Sequence, residues 1–164
     1  MTSLVHPYCL GCLPAALHRT IKVSTLRKAG RGLFACDPDA TDRQIVFAKG
    51  EFIAPYLGEP ITLAGLKSRY FDAASDPGIE YVSTPYVAGN GRLHFDGALL
   101  RGPAVYCNDA RGTRHRNTAC IRWNARGAPC LYATADIANG QEIFTGYGAV
   151  YWAAHQLKVE TVLV

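Results

Sequence analysis

NDARGTRHRN, from Asn108 to Asn117, and DIANGQEIFTGYGAVYW, from Asp136 to Trp152, are the stretches that decide the reading of this chain. The first opens and closes on asparagine and carries arginines between. The second passes through an Asn139-Gly140 turn and a short apolar segment to Tyr147-Gly148, then ends on an aromatic cluster. A generic small β domain needs neither feature.

The whole chain sets ordinary bounds on these two stretches. At 164 residues it is long enough for one self-sufficient core, so one domain is expected. Hydrophobic residues make up 49% and charged residues 18%, with 16 glycines and 9 prolines. That composition belongs to a globular, turn-rich chain of many short strands. The 17 Lys and Arg against 13 Asp and Glu leave a formal charge of +4, too mild to demand nucleic acid yet compatible with an acidic partner.

Arg111, Arg114, Arg116, Arg122 and Arg126, with His115, place a basic cluster beside the asparagine loop. A solvated loop and a phosphate- or acid-binding patch both fit it. Among the 6 cysteines, Cys9 and Cys12 form a C-x-x-C near His6 and His18, a spacing that holds zinc or cycles as a redox pair. A second C-x-x-C is missing. Cys36, Cys107, Cys120 and Cys130 lack ligand spacing, so no metal is expected and these thiols are read as free and mostly buried.

The apolar stretch from Leu4 to Leu17 contains Pro7 and Pro14 and has no Lys or Arg ahead of it, which argues against a signal peptide. No apolar run reaches the roughly 18 residues of a spanning helix. A soluble, intracellular protein is the expectation.

Read in order, IKVSTL from Ile21 to Leu26 alternates and meets KAGRGLFA, a strand, glycine turn and strand. IVFAKGEFIAPYLGEPIT, from Ile45 to Thr62, gives short strands around Gly50 and Gly58. LAGLKSRYFDAA, from Leu63 to Ala74, has the length and spacing of a helix. IEYVST, RLHFDGAL, TACIRWNA and CLYATADI, from Ile79 onward, are strand-sized pieces between Gly, Pro or Asn turns. The reading is mainly β with one or two short helices.

Gly30 and Gly32 sit between two strands, where glycine lets backbone N–H groups approach a ligand carboxylate. A bare G-x-G is by itself most often a tight turn, and no phosphate loop is implied. The order of motifs says more. Gly30 and Gly32 are followed by Tyr56 with Gly58 and Glu59, by Asp96 with Asn108 twelve residues later, by Asn117, and by Asp136, Ile137, Gly140, Glu142, Tyr147 and Gly148. In that order they resemble a SET domain, the fold of protein lysine methyltransferases that use S-adenosylmethionine, over about Ile21 to Trp152.

The resemblance implies a mainly β fold of several small curled sheets with a knot-like C-terminal core. It implies an N-terminal extension over 1–20, the domain proper over 21–152 and a tail over 153–164. It implies Tyr147 as the catalytic residue, with Tyr56, Tyr106 and Thr145 on the substrate lysine. The cofactor falls to Gly30, Arg31, Gly32, Asn108, Asp109 and Tyr151, the last against the adenine. The activity implied is methyl transfer to a protein lysine, with histone tails the commonest substrate class, a nuclear or chromatin location and a nucleosome contact through the basic loop.

The chain also departs from the pattern. The Asn-His-Ser-Cys of the family is Asn108, Asp109, Ala110, Arg111, and the arginine three before that asparagine is Val105. The Phe or Tyr two before the tyrosine is Thr145, whose smaller side chain leaves more room. The cysteine-rich tail of many histone-directed members is missing. A catalytically weak SET-like module that binds a peptide or nucleic acid, and a zinc or redox domain built on Cys9 and Cys12, are the competing readings.

Overall fold

The computed structural model describes residues 18–70, 87–89, 94–97, 100–149 and 152. Cys9, Cys12, IEYVST and AAHQLKVETVLV lie outside the described residues, as do most of 1–20 and all of 153–164. Within the described residues the protein is mainly β, with eleven short strands, one α-helix and one 3₁₀ turn.

The first hairpin forms where the sequence places it. β1 (Arg19–Val23) pairs antiparallel with β2 (Arg31–Ala35), Thr20 opposite Phe34 and Lys22 opposite Gly32. The connection needs left-handed backbone, supplied by Lys28 at φ 67° and Gly30 at φ 74°. It closes with Ser24 N–H donating to the Gly30 carbonyl at 2.9 Å.

Four small sheets follow. Besides β1 and β2, the first holds β11 (Glu142–Ile143) on the far side of β2. The second pairs β3 (Ile45–Phe47) with β10 (Ile137–Ala138). The third has β9 (Pro129–Ala133) between β4 (Phe52–Pro55) and β8 (Ala119–Trp123). The fourth has β7 (His94–Asp96) between β5 (Glu59–Ile61) and β6 (Val87–Gly89).

The core lies where the first three sheets meet. Leu33, Ile53, Leu131, Ile137 and Ile143 are each fully buried and come from five different strands. β2 is central in its sheet and shielded on both faces, so Gly32, Leu33, Phe34 and Ala35 are all buried and the two-residue alternation vanishes. The expected strand CLYATADI is two strands. Between them Thr134 N–H reaches the Thr118 carbonyl at 2.8 Å, and the Asp136 carboxylate accepts from Lys49 N–H at 2.8 Å.

α1 (Leu63–Tyr70) begins where expected; residues 71–74 of the predicted helix lie outside the described residues. It is tied to the fourth sheet by Arg69, whose Nη1 lies 2.6 Å from the buried Asp96 Oδ2 and 2.9 Å from Glu59 Oε2. Gly58 is required beside that sheet, because a Cβ there would sit 2.9 Å from the Asp96 backbone.

The C-terminal segment is threaded. Phe144 bridges Asn108 and Thr145 bridges Ala119, both in parallel register. Thr145 N–H donates to the Asn108 carbonyl, and Thr118 and Ala119 N–H groups converge on the Phe144 carbonyl, at 2.9 to 3.0 Å. The loop leaving Asn108 and returning at Ala119 is thereby closed at both ends by one passing segment.

Candidate functional site

Closure of that loop sets Asn108 against the glycine turn. Its Nδ2 donates to the Arg31 carbonyl at 3.1 Å and to Glu142 Oε1 at 3.2 Å. Glu142 is buried and carries a carboxylate that also accepts from Ser24 Oγ at 2.7 Å, from Thr25 N–H at 2.6 Å and from the Thr25 hydroxyl. The reason for Gly32 is steric: a Cβ there would stand 2.1 Å from Glu142 Oε1. Nothing lies within 4 Å of a Cβ built at Gly30, which is glycine for its positive φ instead.

Asp109 is a second buried carboxylate, next to Asn108 in sequence and with hydrogen-bond partners of its own. Oδ1 accepts from Arg111 N–H at 2.9 Å and Asn117 Nδ2 at 3.0 Å. Oδ2 accepts from Tyr147 N–H and from the Trp152 indole N–H, each at 2.8 Å. Burial alone would raise the pKa of this carboxyl. The hydrogen bonds, led by that from Tyr147 N–H and followed by those from Trp152, Asn117 and Arg111, outweigh burial and hold it below the ordinary aspartate value.

Tyr147 is fixed at both ends. Its hydroxyl donates to the Cys107 carbonyl at 3.0 Å, and its ring stacks on Trp152 with centroids 6.4 Å apart and planes at 16°. Arg111 covers the other partner of that stack, its guanidinium carbon 5.7 Å from the Trp152 ring. Cys107 is buried; burial, and then the Glu142 charge, push its thiol well up, so it stays a neutral packing group.

The predicted residues Gly30, Arg31, Gly32, Asn108, Asp109, Thr145 and Tyr147 are therefore brought together by contacts of backbone or side chain. Thr145 is buried, and among the described residues its Oγ1 has no hydrogen-bond partner. Tyr56 is buried in the core and Tyr106, in the turn Pro103–Tyr106, packs against the same cluster. Tyr151 lies outside the described residues.

Sequence reasoning passed over Glu142 as a side chain, and with it Ser24, Thr25, Asn117 and Arg111 as site-builders. In sequence Glu142 stands only as a position in the run from Asp136 to Gly148; its register partner is Phe34, and its carboxylate fills the space at Gly32. Cys36, Cys107, Cys120 and Cys130 are free thiols, two of them buried. Among the described residues no three His, Cys, Asp or Glu cluster as metal ligands, and no helix is long and apolar enough to cross a membrane. His18 pairs with Asp37 at 3.3 Å.

The sequence matches no protein-family model and no curated protein. Solved structures share the fold. The crystal structure of the Chaetomium thermophilum polycomb repressive complex 2 is 24% identical at a TM-score of 0.60, over 82% of this chain and 16% of that one. The same complex in an autoinhibited conformation bound to S-adenosylmethionine is 22% identical at 0.59, over 90% and 17%. In complex with H3K27me3 it is 23% identical at 0.58, over 82% and 15%. The chain thus spans about a sixth of the length of those it matches, and its fold resembles that of their SET domain.

Proposed function

We propose that this protein transfers a methyl group from S-adenosylmethionine to a lysine side chain of a protein, with histone tails as its substrate class. The observation that carries the reading is the threaded segment, which sets Tyr147 beside the asparagine loop while Asn108 reaches the glycine turn. The SET-like fold supports it.

The side chains present fit the cofactor. The buried Glu142 carboxylate meets Asn108, and the Arg31 and Cys107 carbonyls add acceptors, a surrounding that favours a cation. Asn108 gives its N–H groups to Arg31 and Glu142, which leaves Oδ1 to accept from a ligand ammonium. Lys22, opposite Gly32, and the Gly30, Arg31, Gly32 turn receive a carboxylate. The adenine is assigned to Tyr151 by the resemblance alone. When bound, the cofactor supplies the electrophilic methyl group.

The chain's own part is positioning, since in-line displacement needs no covalent intermediate. Tyr147 gives its hydroxyl proton to the Cys107 carbonyl, which orients its oxygen as the acceptor that holds the lysine amine in line. Tyr56 and Tyr106 line the lysine channel, whose dryness lowers the ammonium pKa and favours the reactive neutral amine. Thr145 sets the room beside the amine. The protein acts on chromatin, with the arginines of the loop meeting nucleosomal DNA.

Titration calorimetry with S-adenosylmethionine tests the cofactor half. Wild-type protein binds, and Asn108→Ala binds about 10- to 100-fold more weakly, the loss of a hydrogen bond to a charged group. Absence of binding heat in the wild type contradicts the reading.

Asp109 in the family's histidine position, and a run from 110 to 135 that has arginines but no acidic residue, favour a second reading. A non-catalytic module binds DNA or a peptide without transferring methyl groups, and Tyr147→Phe leaves that binding unchanged.

A further inference from the structure

We propose that Asp109 is the positioning residue of this site, an ionised buried carboxylate that locks the orientation of Tyr147 from behind. The proposal rests on the methyl-transfer reading above and adds a role, through the side chain, to a residue expected to serve through its backbone.

All four groups around Asp109 are N–H donors, two on each oxygen. Only a carboxylate accepts from four donors at once; an asparagine presents an NH₂ to two of them, and an imidazole offers one acceptor. The residue is 8% exposed, so an unmatched donor there has little water to turn to. The two oxygens divide the work. Oδ1 closes its own loop on Arg111 and Asn117, and Oδ2 reaches across to Tyr147 and Trp152.

Oδ2 thereby joins the backbone of Tyr147 to the ring stacked on it. Trp152 lies on the Tyr147 ring, Arg111 lies over Trp152, and the same carboxylate holds the N–H groups of all three residues. The far end of Tyr147 is held independently, by the Cys107 carbonyl. Asp109 touches the ring's support and not its hydroxyl, so its loss alters orientation and leaves the acceptors around Asn108 in place. An ångström-scale misplacement of a group that aligns reactants costs rate far more than affinity.

The test compares full-length wild type, Asp109→Asn and Asp109→Glu by steady-state methyl transfer, together with the Trp152 indole N–H resonance in a ¹H–¹⁵N spectrum. In Asp109→Asn, kcat falls about 10- to 100-fold while KM for S-adenosylmethionine stays within about threefold, and the indole resonance shifts and exchanges faster. Asp109→Glu, which keeps the charge, recovers part of kcat. A kcat for Asp109→Asn within about twofold of wild type, or a loss carried by KM, overturns the positioning role. Should Asp109→Asn not fold, Trp152→Phe removes one donor and keeps a ring; an unchanged kcat there overturns the proposal equally. A wild type that transfers no methyl group fails the underlying reading, and this one with it.

Discussion

Gly32 shows how one missing side chain organises the site. The space of its absent Cβ is filled by Glu142 Oε1, and the Glu142 carboxylate in turn holds Ser24, Thr25 and the Asn108 amide. Gly32→Ala therefore displaces Glu142 and with it Asn108; cofactor affinity measured by calorimetry falls by at least about 10-fold, whereas a retained affinity denies Glu142 that role. Asp109 makes a pH prediction at the same scale. Its folded pKa lies below the ordinary value, so the stabilisation is fully present above about pH 4 and is lost as pH falls through the folded value. Urea melts of the wild type lose stability in that acid range more steeply than those of Asp109→Asn; parallel acid limbs contradict the assignment.

The strands and turns that depend on local chemistry were legible, and those that depend on distant partners were not. The Gly30 hairpin, the breaks at Gly50 and Gly58 and the pieces at Ala119–Trp123 and Pro129–Ala133 follow from turn residues and strand composition. The division of CLYATADI follows from a bond to Thr118 and another to Lys49, neither nearby in sequence. The parallel bridges at Phe144 and Thr145 have no local signal at all; the order of motifs, through the resemblance, implied them. Leu131, fully buried at the centre of a three-stranded sheet, carries the prediction at this scale. Leu131→Ala lowers the unfolding free energy by about 2–5 kcal/mol in denaturant melts, and a cost below about 1 kcal/mol contradicts the packing described.

Across the whole molecule, two buried carboxylates and a threaded segment draw residues from 24 to 152 into one site. The chemistry-bearing residues were visible as types in sequence; their supports, Glu142 and Asp109 as side chains, were not, because each is defined by what folds against it. The exposed arginines 111, 114, 116, 122 and 126 lie outside that network except for Arg111 on Trp152. Joint Arg114→Ala and Arg116→Ala changes lower methyl transfer to nucleosomes and flatten its salt dependence while sparing a free tail peptide; equal losses on both substrates refute a DNA contact. The central claim is tested most directly by transfer of labelled methyl from S-adenosylmethionine to core histones, wild type against Tyr147→Phe. Label on a histone lysine that falls about 100-fold or more in the variant is the predicted result. Cofactor binding with no label on any histone, or label that Tyr147→Phe leaves intact, would contradict it.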